Sequence, residues 1–337
     1  MALQPQSQPF EIERDEVDEL TEESQRHRRG HFARAFSRLM RKKIAVVAMV
    51  VIIVVWLSGI FAAPLSYYVT GYEYTAQDYT AFREPPSLEH WAGTDRAGRD
   101  VFTRLLWGIQ NTVVLTFVGM LSGGLVIGIT LGLVAGYFGK WVDEVIMRIG
   151  EIAASFPTFL LVIIIAATLR PRILDIVRWV EDNSFLDGLV RSGMVDYVVI
   201  SVALVSFGWI GMARLVRGQI LYLKETQYVE SARAIGVSTP RILVRHLLPN
   251  AISPIVVSVS MGMGTMVGTE IFLSWIGLGI QPPRPSLGVM LLEGGSISVL
   301  RVMPWLLLAP GLIAWSMVLA WNLLGDALND VLNPRTR

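Results

Sequence analysis

The chain has 337 residues, of which 53% are hydrophobic, and a formal net charge of +1. That balance gives no basis for nucleic-acid binding, and the lack of cysteine excludes disulfides and any cysteine-based metal site. Apolar blocks of about twenty residues recur, each long enough to cross a hydrocarbon layer of about 30 Å, so the expected class is an all-α polytopic membrane protein.

Residues 1–30 are polar, with an acidic run from Glu11 to Glu23 and then Arg26, Arg28 and Arg29. Like-charge blocks without apolar anchors predict a disordered tail, and no cleavable signal sequence is expected in the polar first forty residues. In 31–43, Phe32, Phe36, Leu39 and Met40 recur at helical spacing among Arg34, Arg38, Arg41, Lys42 and Lys43. This pattern predicts an interfacial helix against membrane lipid.

The first span is predicted from Ile44 to Ala63, ended by Pro64. The basic cluster before it places the amino terminus inside by the positive-inside rule, and residues 65–108 then lie outside. The second span is predicted over 111–135. It carries glycines at 124, 128, 132 and 136, spaced for close approach of another helix within the subunit. A short inside turn, 136–144, leads to a third span over 145–169, kinked by Pro157 and ended outside by Arg170 and Pro171. A short amphipathic helix is expected in the outside segment 172–196. The fourth span covers 197–215.

Residues 222–250 then form an inside loop read as helix–turn–helix. Glu230, Ser231, Ala232 and Ala234 suit a helix, Gly236 stops it at positive φ, Pro240 opens a second short helix, and Pro249 closes that one. The fifth span is predicted over 252–278, a proline-rich outside turn over 281–288, and the sixth span over 305–324. Residues 326–337 return inside as a tail. Six spans with both termini inside put arginine and lysine on the inside loops.

No catalytic set and no metal cluster is expected. The chain lacks a phosphate-binding loop, since GTDRAGRD (93–100) has glycines but no lysine. His27, His31, His90 and His246 are scattered and read as ordinary surface residues. Two carboxylates fall within predicted spans, where a charge costs about 2.5–3.5 kcal/mol on insertion scales. Glu151 is expected to reach the inner interface. Glu270, preceded by Met263 and Met266, either binds a peptide amine in the pore or joins two helices by hydrogen bonds, with the structural role ahead.

Several motifs carry a family resemblance. Glu230-Ser231-Ala232, Gly236 and His246-Leu247-Leu248-Pro249 resemble the E-A-A…G…I-x-L-P loop of ABC importer membrane subunits, with Ser231 and His246 as departures. HWAGTDRAGRDVFTRLLWG (90–108), AGYFGKWVDEVIMR (135–148), LSWIGLGIQPPRPSLG (273–288) and LLGDALNDVLNPRTR (323–337) are similar to stretches of the dipeptide, oligopeptide and nickel importer group. Leu287, Asn329 and Asn333 depart from that pattern. The resemblance covers about 30–337 and points to the second permease subunit of such systems.

The resemblance implies a type I ABC importer permease fold and a subunit that is not itself an enzyme. It implies half of a translocation pore for short peptides, paired with a second homologous permease. It further implies two ATPase subunits that bind ATP and magnesium, and an extracytoplasmic solute-binding protein. The loop would then couple to an ATPase through Tyr228, Glu230, Ser231, Ala232, Ala234 and Gly236. The same machine carrying oligosaccharides, nickel chelates or opines is the alternative within this class. A stand-alone secondary transporter is disfavoured, because matching broken helices in inverted halves are not evident.

Overall fold

The computed structural model describes residues 35–184, 188–190 and 192–332. The predicted tail 1–30, the start of the 31–43 helix and residues 333–337 lie outside them. Among the described residues the chain is helical, with one isolated bridge, Thr94–Asp100, in place of any strand. The main helices are α1 (Lys43–Ile60), α2 (Val101–Phe138), α3 (Lys140–Ala154), α4 (Thr158–Asn183), α5 (Met194–Leu223), α6 (Gln227–Ala234), α7 (Thr239–Trp275), α8 (Leu287–Gly294), α9 (Ile297–Val302) and α10 (Trp305–Leu332). Five are long and apolar enough to cross a membrane, and α3 with α4 makes a sixth span if that pair, bent by 89°, is taken as one.

The core forms where α2, α7, α8 and α10 meet: Val101, Leu105 and Ile109 touch Val267, Ile271, Leu287, Met290, Leu306 and Met317 in one apolar cluster. α1 lies against the outside of this bundle, and only Ala45, Ala48 and Gly59 of it are buried, as suits a helix facing lipid. Residues 35–41 are helical. Leu39 turns in against Ala45 and Ala327, and Lys42 bonds Asp330 of α10 at 2.7 Å.

Three glycines of the α2 stripe face α5 inside the subunit, as expected, while Gly124 lies against Met120 of its own helix. A Cβ at Gly128 would lie 2.7 Å from Met212, one at Gly132 2.7 Å from Val216, and one at Gly136 2.7 Å from Ile220. The row thus lets α2 and α5 approach at a distance no larger residue allows.

Several predicted boundaries are corrected. Pro64 does not end the first span: after a break at Phe61, the helical path resumes over Ala62–Leu65 and Ser66–Thr70 and stops at Gly71, φ 72°. α2 begins ten residues before the predicted start, because Asp100 caps it by accepting the Thr103 N–H at 2.6 Å. Arg170 and Pro171 do not end the third span. α4 runs through them to Asn183, since Ala166, Ile173, Leu174 and Val177 lie against α5 on both sides of the proline. Pro249 likewise closes nothing: α7 is continuous from Thr239, and the wider π-helical stretch Ile242–Leu247 just before the proline absorbs its missing N–H. The expected outside turn 281–288 runs into α8, whose Leu287 and Met290 lie in the core. The expected tail 326–337 is helical through Leu332.

Candidate functional site

The loop 222–250, expected to face inside, is built around a short helix with two unlike edges. Val229 and Ala232, three apart on α6, are buried among Val216 and Ile220 of α5 and Ile242, Leu247 and Ala251 of α7. The opposite edge is open: Tyr228, Glu230, Ser231 and Ala234 are exposed, as are Ile235 and Gly236. The expected contact set therefore divides. Ala232 faces its own subunit and is unavailable to a partner, because the period of 3.6 turns it to the same side as Val229.

Gly236 ends the helix at φ 78°, with nothing within 4 Å of a Cβ built there. Val237 N–H then returns to Ala232 O at 3.0 Å, closing the C-terminal turn. Pro249 is only partly exposed, and the next residue, Asn250, donates to the Tyr228 hydroxyl at 3.2 Å, tying α7 back to α6. One further contact holds the loop to the bundle, and another braces α5 against α3 beside it. Arg233 lies 5.0 Å above the Tyr137 ring, and Arg217 of α5 clamps Asp143 of α3 in a two-pronged ion pair, with Nη2 donating to Oδ2 at 2.6 Å.

Glu270 is fully buried on α7. It accepts hydrogen bonds from Thr112 Oγ1 of α2 at 2.6 Å and from Ser274 Oγ at 2.8 Å. Met263 and Met266 are buried as well, clustered with Met120. Glu270 thus makes the helix-joining hydrogen bonds of the structural role put ahead for it, and Met263 and Met266 are 4% and 9% exposed. Glu151 is the exposed carboxylate of the pair. It sits beside Arg148 at 3.3 Å, in the last turn of α3, just before the α3–α4 break.

The opposite end of the bundle, expected to face outside, carries a polar network that motif reading passed over. Asp95 accepts from the backbone N–H groups of Ala97 and Arg99 at 2.8 and 3.0 Å, from Arg99 Nε at 2.7 Å and from Arg104 Nη1 at 2.6 Å. Arg104 also reaches Glu293 of α8 at 3.1 Å. His90 is not a surface residue: it is buried, with Nδ1 3.0 Å from Asp100 Oδ2. Trp305 of α10 donates to Thr94 O at 3.1 Å. Thr80, through its hydroxyl and backbone N–H, holds the Asp78 carboxyl below its ordinary pKa. The sequence signal for part of this was present, since an aspartate directly before an apolar run is a helix start. The partners 189 residues away left no local mark. Among the described residues no cluster of metal-ligating side chains occurs.

Residues 128–337 match the model of the binding-protein-dependent transport system inner membrane component family. Residues 31–86 match the N-terminal TM domain of oligopeptide transport permease C. The chain is 35% identical to the dipeptide transport system permease protein of Alkalihalophilus pseudofirmus, over 90% of each chain. It is 38% identical to the glutathione transport system permease protein of Pectobacterium atrosepticum, over 89% of this chain and 90% of the relative. It is 33% identical to the oligopeptide transport system permease protein of Bacillus subtilis, over 90% of this chain and 89% of the relative. A solved structure of the inward-facing MetNI methionine ABC transporter aligns with a TM-score of 0.47 at 23% identity, over 67% of this chain and 96% of its own. At that score it adds nothing to the assignment.

Proposed function

This chain belongs to the family of binding-protein-dependent transport system inner membrane components, and on that premise we propose how its parts serve transport. It is a multi-pass permease subunit of an ABC importer, not an enzyme. The proposed cargo is short peptides, a reading supported by relatives named for dipeptide, oligopeptide and glutathione transport. In this reading the chain forms half of the pore with a second homologous permease. Two ATPase subunits bind ATP and magnesium, and a solute-binding protein delivers cargo at the outer face.

The observation that carries the coupling role is the build of α6. Its inward edge, Val229 and Ala232, is seated on the inner ends of α5 and α7, while Glu230, Ser231 and Ala234 stand open. A force on the open edge is transmitted to two spans at once, because close-packed side chains move together rather than deform. α6 thereby converts the opening and closing of an ATPase pair into movement of α5 and α7.

Both termini and residues 222–250 face the cytoplasm in this reading, and 65–108 faces outward. Single cysteines at Ser87 and Ser238 of this cysteine-free chain test that. An impermeant thiol reagent on intact cells should label Ser87→Cys and spare Ser238→Cys, and the opposite pattern would invert the orientation. The functional test is uptake and ATP hydrolysis by the complex reconstituted in vesicles with its binding protein. ATP-dependent accumulation of labelled trialanine is expected, and hydrolysis without any peptide uptake would remove the peptide assignment.

A further inference from the structure

The exposed side of α3 has two edges. Glu144, Arg148, Glu151 and Ser155 follow one another at i, i+4, i+7 and i+11, and all are exposed. Val145, Ile149, Ile152 and Phe156 repeat that spacing on the adjacent edge and are also exposed. One side of this helix is thus a polar strip laid beside an apolar strip.

α3 does not lie flat beneath the bundle. Asp143 pairs with Arg217 of α5. Seven residues further along α3, a Cβ at Gly150 would sit 3.4 Å from Ile210, seven residues back along α5. The two helices therefore run side by side and antiparallel over about 10 Å, and α3 carries its polar strip upward from the inner end of α5 towards its middle.

There the path breaks. The axis turns by 89° between Ala154 and Thr158, and residues 154–160 are all exposed. α4 then rejoins the bundle, with Val162 against the Leu204 and Leu273 cluster and Phe159 6.2 Å from Phe272, near the outer end of α7. The joint accordingly lies within the depth of the spans. Non-helical backbone at that depth is tolerated only against protein or water, and charged side chains inside spans obey the same restriction. The Arg148–Glu151 pair and the open joint fall together, so two independent constraints exclude lipid from one strip of surface.

We propose that Glu144, Arg148, Glu151, Ser155 and Thr158 line the water-filled path of the transported solute. The α3–α4 joint is then the mid-membrane point where carboxylate, guanidinium and hydroxyl groups meet the terminal charges and amides of a short peptide. This rests on the importer reading and moves the polar lining from Glu270, which is enclosed, to Glu151, which is open.

The test uses the full complex with its binding protein in vesicles and single cysteines in this chain. A charged methanethiosulfonate should modify Glu151→Cys, Ser155→Cys and Thr158→Cys at least tenfold faster than Ile149→Cys and Ile152→Cys. Saturating trialanine should slow the reaction at Ser155→Cys by threefold or more. Ser155→Cys is nearly isosteric, so its result stands even if a charge-removing variant fails to assemble. Equal rates on the two edges, or reaction at Ser155→Cys that peptide leaves unchanged, would overturn the proposal. ATP-driven trialanine uptake by the complex carrying the parent, cysteine-free chain is measured in parallel. If uptake is absent while the polar edge still reacts faster, the importer reading falls and the water-facing strip stands.

Discussion

At the outer end of the molecule, residues 71–100 fold over the start of α2 and are held by buried charge: Asp95 and Arg104 are both about 96% enclosed, and His90 with Asp100 is equally hidden. At the inner end, α6 is held by two small apolar side chains, Val229 and Ala232, and keeps its polar residues in the open. A buried ion network admits one geometry and fails when a partner is removed, because the remaining charge is left desolvated. An apolar root with a polar crest tolerates changes at the crest, where no folded contact is lost. In the proposed orientation the outer end is fixed by paired charge, and the inner end leaves its polar residues open for the proposed coupling contact.

The largest predicted effect follows from breaking the outer network. Arg104→Ala strips Asp95 of a buried partner and should destabilise the subunit by about 3–5 kcal/mol. Detergent-solubilised protein should then show a large fall in melting temperature and in yield. A variant as stable as the parent would mean that the outer end is held by its apolar contacts alone.

Two glycines with nearly the same backbone sharpen the comparison. Gly98 and Gly236 lie at φ 72° and 78°. A Cβ at Gly98 would sit 2.0 Å from the Asp78 carbonyl oxygen, whereas one at Gly236 meets nothing within 4 Å. Gly98→Ala should combine strain with overpacking, about 2–5 kcal/mol. Gly236→Val should carry backbone strain alone, about 1–3 kcal/mol, and should lower the uptake obtained per ATP hydrolysed by tilting α6. Thermal unfolding separates the two, and equal losses would contradict the contrast.

Glu270 lies between these extremes. Glu270→Leu removes hydrogen bonds to Thr112 and Ser274, about 1–2 kcal/mol within a membrane bundle, and should reduce assembled complex. Glu270→Gln retains an acceptor and should assemble and transport normally. Transport lost in the glutamine variant at full assembly would restore a substrate role to this carboxylate.

The smallest effect on stability is expected at the inner crest. Glu230→Lys should leave the stability within about 0.5 kcal/mol of the parent, as exposed substitutions usually do, yet weaken ATPase docking and peptide-stimulated hydrolysis. Co-purification of the ATPase with wild-type and variant permease at matched amounts measures this. Undiminished docking and hydrolysis would show that α6 is not the coupling element.

Much of this design is legible in the chain itself. Apolar blocks of about twenty residues mark the spans, because a bilayer imposes a length. A polar helix ended by Gly236 marks the inner loop, because a left-handed turn selects glycine. The glycine row of α2 announces a close helix neighbour, because small residues four apart fall on one face. Those inferences succeed because each depends on residues within one or two turns. What the tertiary structure alone decided depends on distant partners. α4 passes through Pro171 because α5 supports it on both sides of that residue. Ala232 is buried because α5 and α7 close over it. Glu270 is enclosed because Thr112, 158 residues away, supplies its hydrogen bond, while Glu151 stays open because the helix bearing it breaks away from the bundle three residues later. Their positions along the predicted spans already set the two glutamates apart, but the hydrogen-bond partners that enclose Glu270 come only from the arrangement of the surrounding helices.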